Sequence, residues 1–151
     1  MTFEESLRLV LEQDEGIVHA VYEDHMVPPN PTCGIGHLLL DGTDREYGWP
    51  TGTAISEARV TQLYNQDVGI ALKDARWLHP DFDDLPDPAR IVIASLSFQL
   101  GLPRYQRFRR HYAAIQARDW PEAAWELRHS NLYKQTTNRT ERHAKRLESL
   151  A

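Results

Sequence analysis

Apolar residues recur at helical spacing from the first turn of the chain. Phe3, Leu7, Val10 and Leu11 share one face, and Thr2 with Glu5 makes a capping box ahead of them. The spacing predicts a helix over 2–15, stopped by Gly16 in the left-handed position after the last turn. The period then changes. The run Gly16 to Tyr22, GIVHAVY, is short, β-branched and aromatic and reads as a strand. Pro28, Pro29 and Pro31 bar regular pairing, and strand character returns over Thr32-Cys33-Gly34-Ile35-Gly36-His37, which predicts an antiparallel hairpin with an irregular tip. The turn-forming segment DGTDREYGWPTGT after Leu38-Leu39-Leu40 is placed to close a small sheet.

From Ser56, a plausible N-cap, the helical period resumes in Val60, Leu63, Tyr64, Val68, Ala71, Leu72 and Ala75. Its length predicts a strut, over about 56–76, between two lobes of one domain, 12–55 and 77–151, with the N-terminal helix added to them. The segment HPDFDDLPDP breaks that helix. Asp87 then reads as a cap with Pro88 at the first helical position, and IVIASLSFQL is apolar nearly all round until Gly101, as suits the centre of a helical core. Shorter helices are predicted around Tyr105–Ala117, after a cap at Asp119, and after Thr137 or Asn138, with a polar and aromatic loop holding Tyr133 and Gln135 before the last. The fold class is α+β and mostly helical, with strand only near residues 17–40.

Composition narrows the class further. At 151 residues the chain can bury about 68–70% of its unfolded surface, enough for a core without staples. The single cysteine, Cys33, excludes an internal disulfide and offers no zinc-type spacing. No apolar run approaches a membrane span, and the N-terminus carries two glutamates where a signal peptide needs positive charge. The expectation is synthesis in a reducing cytoplasm, with some other factor letting the protein out if its target lies beyond the membrane. The net charge of −5 is unevenly spread. Residues 1–103 hold 6 Lys/Arg against 17 Asp/Glu, a balance of −11, whereas residues 104–151 hold 11 against 5, a balance of +6. A basic C-terminal third suits a polyanion or an acidic cell envelope, or simply solvated helix faces.

Candidate chemistry concentrates in Asp14–His37, DEGIVHAVYEDHMVPPNPTCGIGH. Glu15 falls at the carbonyl end of the first helix, where the macrodipole disfavours negative charge and so favours a protonated acid. Asp24 follows the strand, in the loop before the prolines. Two carboxyls facing one gap are what glycoside hydrolysis requires, one to protonate the leaving oxygen and one to guide water or to attack, and the hydroxyl of Thr32 could orient that water. Gly34-Ile35-Gly36 lacks the third glycine and helix of a dinucleotide loop. His37 reads as structural, held by a carboxylate such as Asp67. Phe98 and Gln99 end the central helix, where an aromatic and an amide could meet a sugar. A zinc site from His25, Cys33 and His37 is conceivable but lacks the usual spacing.

Taken together, DEG, then YED nine residues on, then TCGIGHLL, resemble the catalytic segment of the T-even phage lysozymes, glycoside hydrolase family 24. The likeness runs on through LYNQDV, DPARIVIASLSFQLG, DWPEAAWEL and NLYKQTTNR, most of the chain. The resemblance implies a lysozyme-like fold and hydrolysis of the β-1,4 bond between N-acetylmuramic acid and N-acetylglucosamine in peptidoglycan, with no cofactor and no metal. It implies Glu15 as general acid, Asp24 as second carboxylate and Thr32 as water-orienting hydroxyl. It further implies a structural His37–Asp67 pair, support of Glu15 by Arg139, and a saccharide surface including Leu38 and Phe98. Inversion is the family's course, which makes Asp24 a base or electrostatic partner. The partner expected is peptidoglycan, not nucleic acid, met by a monomer without membrane insertion and released to the wall by a holin or similar factor. Rival readings are a zinc amidase, a lytic transglycosylase and a non-catalytic wall-binding module. Three features depart from the pattern: an Asp24-to-Thr32 interval two residues longer with three prolines, His111 and Glu126 at sugar-binding places, and Leu132 in place of an aromatic.

Overall fold

The computed structural model describes Met1–Ala151. The chain runs α1 (Phe3–Glu15), β1 (Val18–Glu23), β2 (Pro31–Gly34), β3 (His37–Leu38), α2 (Glu57–Leu78), a 3-10 turn at Phe82–Asp84, α3 (Asp87–Leu100), α4 (Leu102–Tyr105), α5 (Arg109–Gln116), α6 (Trp120–Arg128), α7 (Asn131–Gln135) and α8 (Thr137–Glu148). It is an α+β chain, mostly helical, with one three-stranded antiparallel sheet in the order β1-β2-β3. Two compact units emerge, Arg8–Gly69 and a second formed by Met1–Leu7 with Ile70–Ala151. The boundaries fall inside α1 and inside α2.

The capping signal at the chain's start and the hairpin signals of the sheet-bearing unit act locally. Thr2 and Glu5 exchange backbone-to-side-chain bonds at 2.9 and 3.1 Å, α1 runs its full length, and Gly16 at φ 73 ends it. Strand β1 pairs β2 with Tyr22 opposite Thr32 and Glu23 opposite Pro31. Pro31 sits at the first strand position, where its missing N–H costs the ladder little. The predicted strand Thr32–His37 is two strands, because Ile35-Gly36 is a turn with Gly34 and Gly36 both at positive φ, and Cys33 pairs back onto His37. On the other edge of β1 the turn-rich loop returns, with Ala54 bridging Ala20 and Ile55 N–H bonding the His19 carbonyl at 2.9 Å. Leu11, Val21, Cys33, Ile35, Leu39, Ile55, Val60 and Leu63 form the core of this unit. Ser56 caps α2 through the Arg59 N–H at 3.1 Å.

The helical unit is centred on α3, whose Ile91–Ser97 stretch is buried throughout. Phe3 meets Phe82 edge to face at 6.1 Å between centroids, and the Arg90 guanidinium covers Phe3 at 4.2 Å. Asp87 is the first helical residue of α3 instead of its cap. Pro88 then lies at the second position, where the missing N–H has no intrahelical partner to lose. Asp119 caps α6 through the Glu122 N–H at 3.2 Å. The helix expected around Tyr105–Ala117 is broken, with Phe108 at ψ 60 between α4 and α5. The break brings the buried Tyr105 hydroxyl to 2.9 Å from His111 Nε2. Residues six apart on one continuous helix point about 120° apart and do not share one face. The segment read as a loop before the last helix contains α7, capped by Ser130.

Candidate active site

Glu15, Asp24, Thr32, His37, Leu38 and Asp67 all belong to the sheet-bearing unit, whereas Phe98, Gln99 and Arg139 belong to the helical one. Glu15 is the last residue of α1. Its carboxyl packs against the backbone of the β2–β3 turn so closely that a Cβ on Gly36 would lie 2.5 Å from Oε2 and 2.9 Å from Cδ. Gly36 serves twice, supplying a left-handed backbone (φ 61) and leaving room for the Glu15 carboxyl.

Asp24 follows β1 directly and is clasped by the far side of its own loop. Its Oδ1 accepts from the N–H groups of Asn30 at 2.8 Å and Met26 at 3.1 Å, and its Oδ2 accepts from Asn30 Nδ2 at 3.0 Å. The Asn30 N–H, above all, holds the Asp24 carboxyl below the usual carboxylate range, with burial opposing and the Asn30 side chain and Met26 N–H assisting. An ionised Asp24 suits a base, an electrostatic partner or a nucleophile, and makes a poor acid. Asn30 also accepts, through its carbonyl, the hydroxyl of buried Thr32 at 3.0 Å. With that proton committed, Thr32 Oγ1 can act toward a water only as an acceptor. One asparagine therefore orders both Asp24 and Thr32. Tyr22, opposite Thr32 in the ladder, feels the same neighbourhood. Its phenol is pushed up first by burial, then by the negative fields of Glu15 and Asp24.

Asn30 was not singled out by sequence. The available signal was an amide six residues after an aspartate and just before a proline, the makings of an Asx-type closure. Asn30→Ala removes the Nδ2 donor and leaves both backbone bonds. We expect the acid limb of the pH–activity profile to move to higher pH and turnover to fall roughly tenfold, with little change in melting temperature. An unchanged acid limb would show that Asn30 does not set the state of Asp24.

His37 lies 5% exposed between two carboxylates, with Nδ1 2.6 Å from Asp67 Oδ2 and Nε2 3.0 Å from Asp44 Oδ2. Burial pulls its pKa down, yet the hydrogen bonds and charges of Asp67 and Asp44 outweigh that and raise it. Both ring nitrogens are engaged, so the imidazole is no free base. Asp44 also accepts the Leu40 N–H at 2.9 Å, and Arg59 binds buried Glu46 through two bonds at 2.7 and 3.0 Å. The network ties β3, the long loop and α2 together. Asp44, Glu46 and Arg59 are contributions that spacing alone could not reveal, because the loop path sets them.

Leu38 projects from β3 and is 45% exposed, an apolar side chain open to a ligand. Gln99 is half-buried and donates from Nε2 to Thr136 Oγ1 at 3.4 Å, Phe98 is half-buried, and Arg139 is buried on α8. No group of three or more His, Cys, Asp or Glu side chains is placed to hold a metal ion, so His25, Cys33 and His37 do not form a zinc set. Cys33 is buried in the sheet core, with its thiol pushed up to about 11, chiefly by burial.

No protein-family model matches the chain. Among curated proteins it is similar to "Probable T4-type lysozyme 2" of Dictyostelium discoideum, 27% identical over an alignment covering 91% of this chain and 90% of that protein. It is similar also to "Probable T4-type lysozyme 1" of the same organism, 24% identical with the same coverage of both. A third relative is "Peptidoglycan hydrolase gp36" of Pseudomonas phage phiKMV, 27% identical over 77% of this chain, which spans 12% of that longer protein. With likeness to two proteins of the one name running nearly end to end, and a small antiparallel sheet followed by a helical remainder, this chain is a T4-type lysozyme-like protein.

Proposed function

We propose that the protein is a peptidoglycan hydrolase of the muramidase kind, cutting the β-1,4 bond between N-acetylmuramic acid and N-acetylglucosamine by general-acid catalysis. The observation that carries this reading is the contrast between two carboxyls on one small unit. Asp24 is held ionised by three donors, while Glu15 sits at the negative end of a helix, and both act on the Tyr22 phenol. In the proposed reaction Glu15 delivers its proton to the leaving glycosidic oxygen as the bond to the anomeric carbon breaks. The carboxylate of Asp24 stabilises the developing oxocarbenium charge and takes the proton of the incoming water, which Thr32 Oγ1 holds as acceptor. The product sugar is then released with the configuration inverted. Leu38 is proposed to lie against a saccharide ring. Phe98 and Gln99 enter this reading through their place at the end of the central helix, and Arg139 through the family resemblance. The names of the relatives support the coarser statement, hydrolysis of cell-wall polymer, and no helix is long and apolar enough to cross a membrane.

The test is the chemistry of the products. Purified peptidoglycan digested by the protein should yield muropeptides heavier by one water per cut, with new reducing ends on N-acetylmuramic acid. Anhydro-sugar ends would replace this reading with a lytic transglycosylase. Free stem peptides would point to an amidase, and wall binding without new reducing ends to a non-catalytic module.

A further inference from the structure

The three paired strands carry a row of side chains that the proposed reaction uses only in part. Tyr22 on β1 lies opposite Thr32 on β2, and Thr32 lies opposite Leu38 on β3. Residues paired across antiparallel strands project from the same face. Tyr22, Thr32 and Leu38 therefore form one row across the sheet, while buried Val21 and Cys33, one step along their strands, belong to the other face and the core. Asp24 continues the alternation of β1 onto the face of that row, with its N–H bonded to the Asn30 carbonyl at 3.0 Å. In the proposed reaction Asp24 and Thr32 handle the water and Leu38 meets a sugar. Tyr22 has no part in it.

The Tyr22 hydroxyl has a free hydrogen in a confined place. The side chain is half-buried, yet its hydroxyl forms no hydrogen bond within the protein, whereas those of Tyr105 and Tyr133 are engaged by His111 and Glu141 at 2.9 and 3.1 Å. A tyrosine taken partly out of water normally finds a partner for that group, and here a ligand is left to supply it. Burial and the negative fields of Glu15 and Asp24 keep the phenol protonated, so it acts as a donor. The same two fields repel an anionic acceptor and leave a neutral one favoured. Of the neutral oxygens on the two sugars of the proposed substrate, the amide carbonyl of the N-acetyl group is the strongest acceptor, ahead of hydroxyl and ether oxygens.

We infer that Tyr22 is a specificity-determining residue of the proposed reaction, its hydroxyl donating to the N-acetyl carbonyl of a sugar laid along the Tyr22–Thr32–Leu38 row. The inference rests on the proposed action on wall glycan and goes beyond it, since it makes the protein select N-acetylated over de-N-acetylated strands.

Tyr22→Phe keeps the ring and removes only the hydroxyl, so melting should stay as in wild type. Release of reducing ends is measured on purified peptidoglycan, on the same material after enzymatic de-N-acetylation, and again after chemical re-acetylation. On acetylated wall Tyr22→Phe should lose roughly tenfold in kcat/KM. On de-N-acetylated wall the two proteins should cut at equal rates, because the hydroxyl has lost its partner, and re-acetylation should restore the difference. Should the variant melt lower, its own ratio of rates on the two walls still reads the bond. An equal fold-loss on all three walls would make Tyr22 a support of the neighbouring carboxyls and overturn the inference, as would wild-type cutting of acetylated wall by Tyr22→Phe. If the wild type leaves anhydro ends, the hydrolytic reading falls, and the acetyl-dependent difference between the two proteins decides this one as before. If it releases no sugar ends, the cleavage reading falls, and sedimentation of both proteins with the three walls takes its place. A Tyr22-dependent preference for acetylated wall then keeps the contact, and the lack of one overturns it.

Discussion

Glu15→Gln is expected to slow clearing of purified cell wall by roughly 10²- to 10⁴-fold, the usual contribution of a positioned general acid. Glutamine keeps the shape of the side chain and its hydrogen-bonding ends but has no proton to give, so the loss should fall on turnover rather than on wall binding. Melting should stay within a few degrees of wild type, because glutamine matches the shape of glutamate and is neutral at the negative end of α1. A second variant separates position from chemistry. Gly36→Ala places a methyl 2.5 Å from Glu15 Oε2, so the carboxyl must move by about 1 Å, which is enough to cost on the order of 10²-fold. Gly34→Ala meets the same left-handed backbone, φ 62 against 61, but its methyl reaches only Val60, at 3.4 Å. Both alanines should therefore lower stability by about 1–2 kcal/mol, and Gly36→Ala alone should lose activity. Equal activity in the two would remove Gly36 from the machinery. Wall clearing by Glu15→Gln at the wild-type rate would remove Glu15.

Acid should unfold the protein from the helical unit. His79 and His111 are buried, and burial holds each down to about 4; Arg118 adds to this at His79, while the Ala123 carbonyl opposes it at His111. His143 is also held well below the usual imidazole range, by burial and then by Arg139, Arg146 and Arg142. In the unfolded chain these imidazoles take up protons near pH 6.5. Between pH 6.5 and 4 the unfolded state thus binds more protons than the folded state, and stability falls as pH falls. For His79 and His111 the full loss is on the order of 3 kcal/mol each. His37 has the opposite sign. Its raised folded pKa contributes stability below pH 6.5 that is lost as pH rises through the raised value, so it offsets none of the acid loss beyond that point. Below about pH 4 a second group of losses begins, led by Glu141, which Arg128 holds at about 2. Urea unfolding at a series of pH values checks this. His79→Gln should reduce the slope of stability against pH by about one proton, near 1.4 kcal/mol per pH unit, while keeping an amide partner for Gln116. A slope equal to that of wild type would show that His79 is not the titrating group.

What the sequence by itself determined was local. The Thr2/Glu5 box, the stop at Gly16, the Asp119 cap and the prolines of the loop act over four or five residues, so they place Glu15 at a helix end and Asp24 beside a hairpin tip without reference to the rest of the chain. The apolar run of α3 likewise declares its burial, because no polar face is left to meet water. Only the tertiary structure decided what those residues touch. Two glycines turned an expected strand into a turn and set Gly36 under Glu15. The clasp of Asn30 on Asp24 depends on how the loop from Asp24 to Asn30 closes, and the Asp44–His37–Asp67 bridge depends on where the long loop crosses α2. The break between α4 and α5 lets Tyr105 and His111 share one buried contact, against a periodicity that read as continuous helix. Arg104, Arg107, Arg109 and Arg110, to either side of that break, line one cavity, where the sequence had shown only a basic third. Periodicity and caps are short-range and survive in the chain as written; contacts between distant residues exist only once backbone register and burial have been settled together.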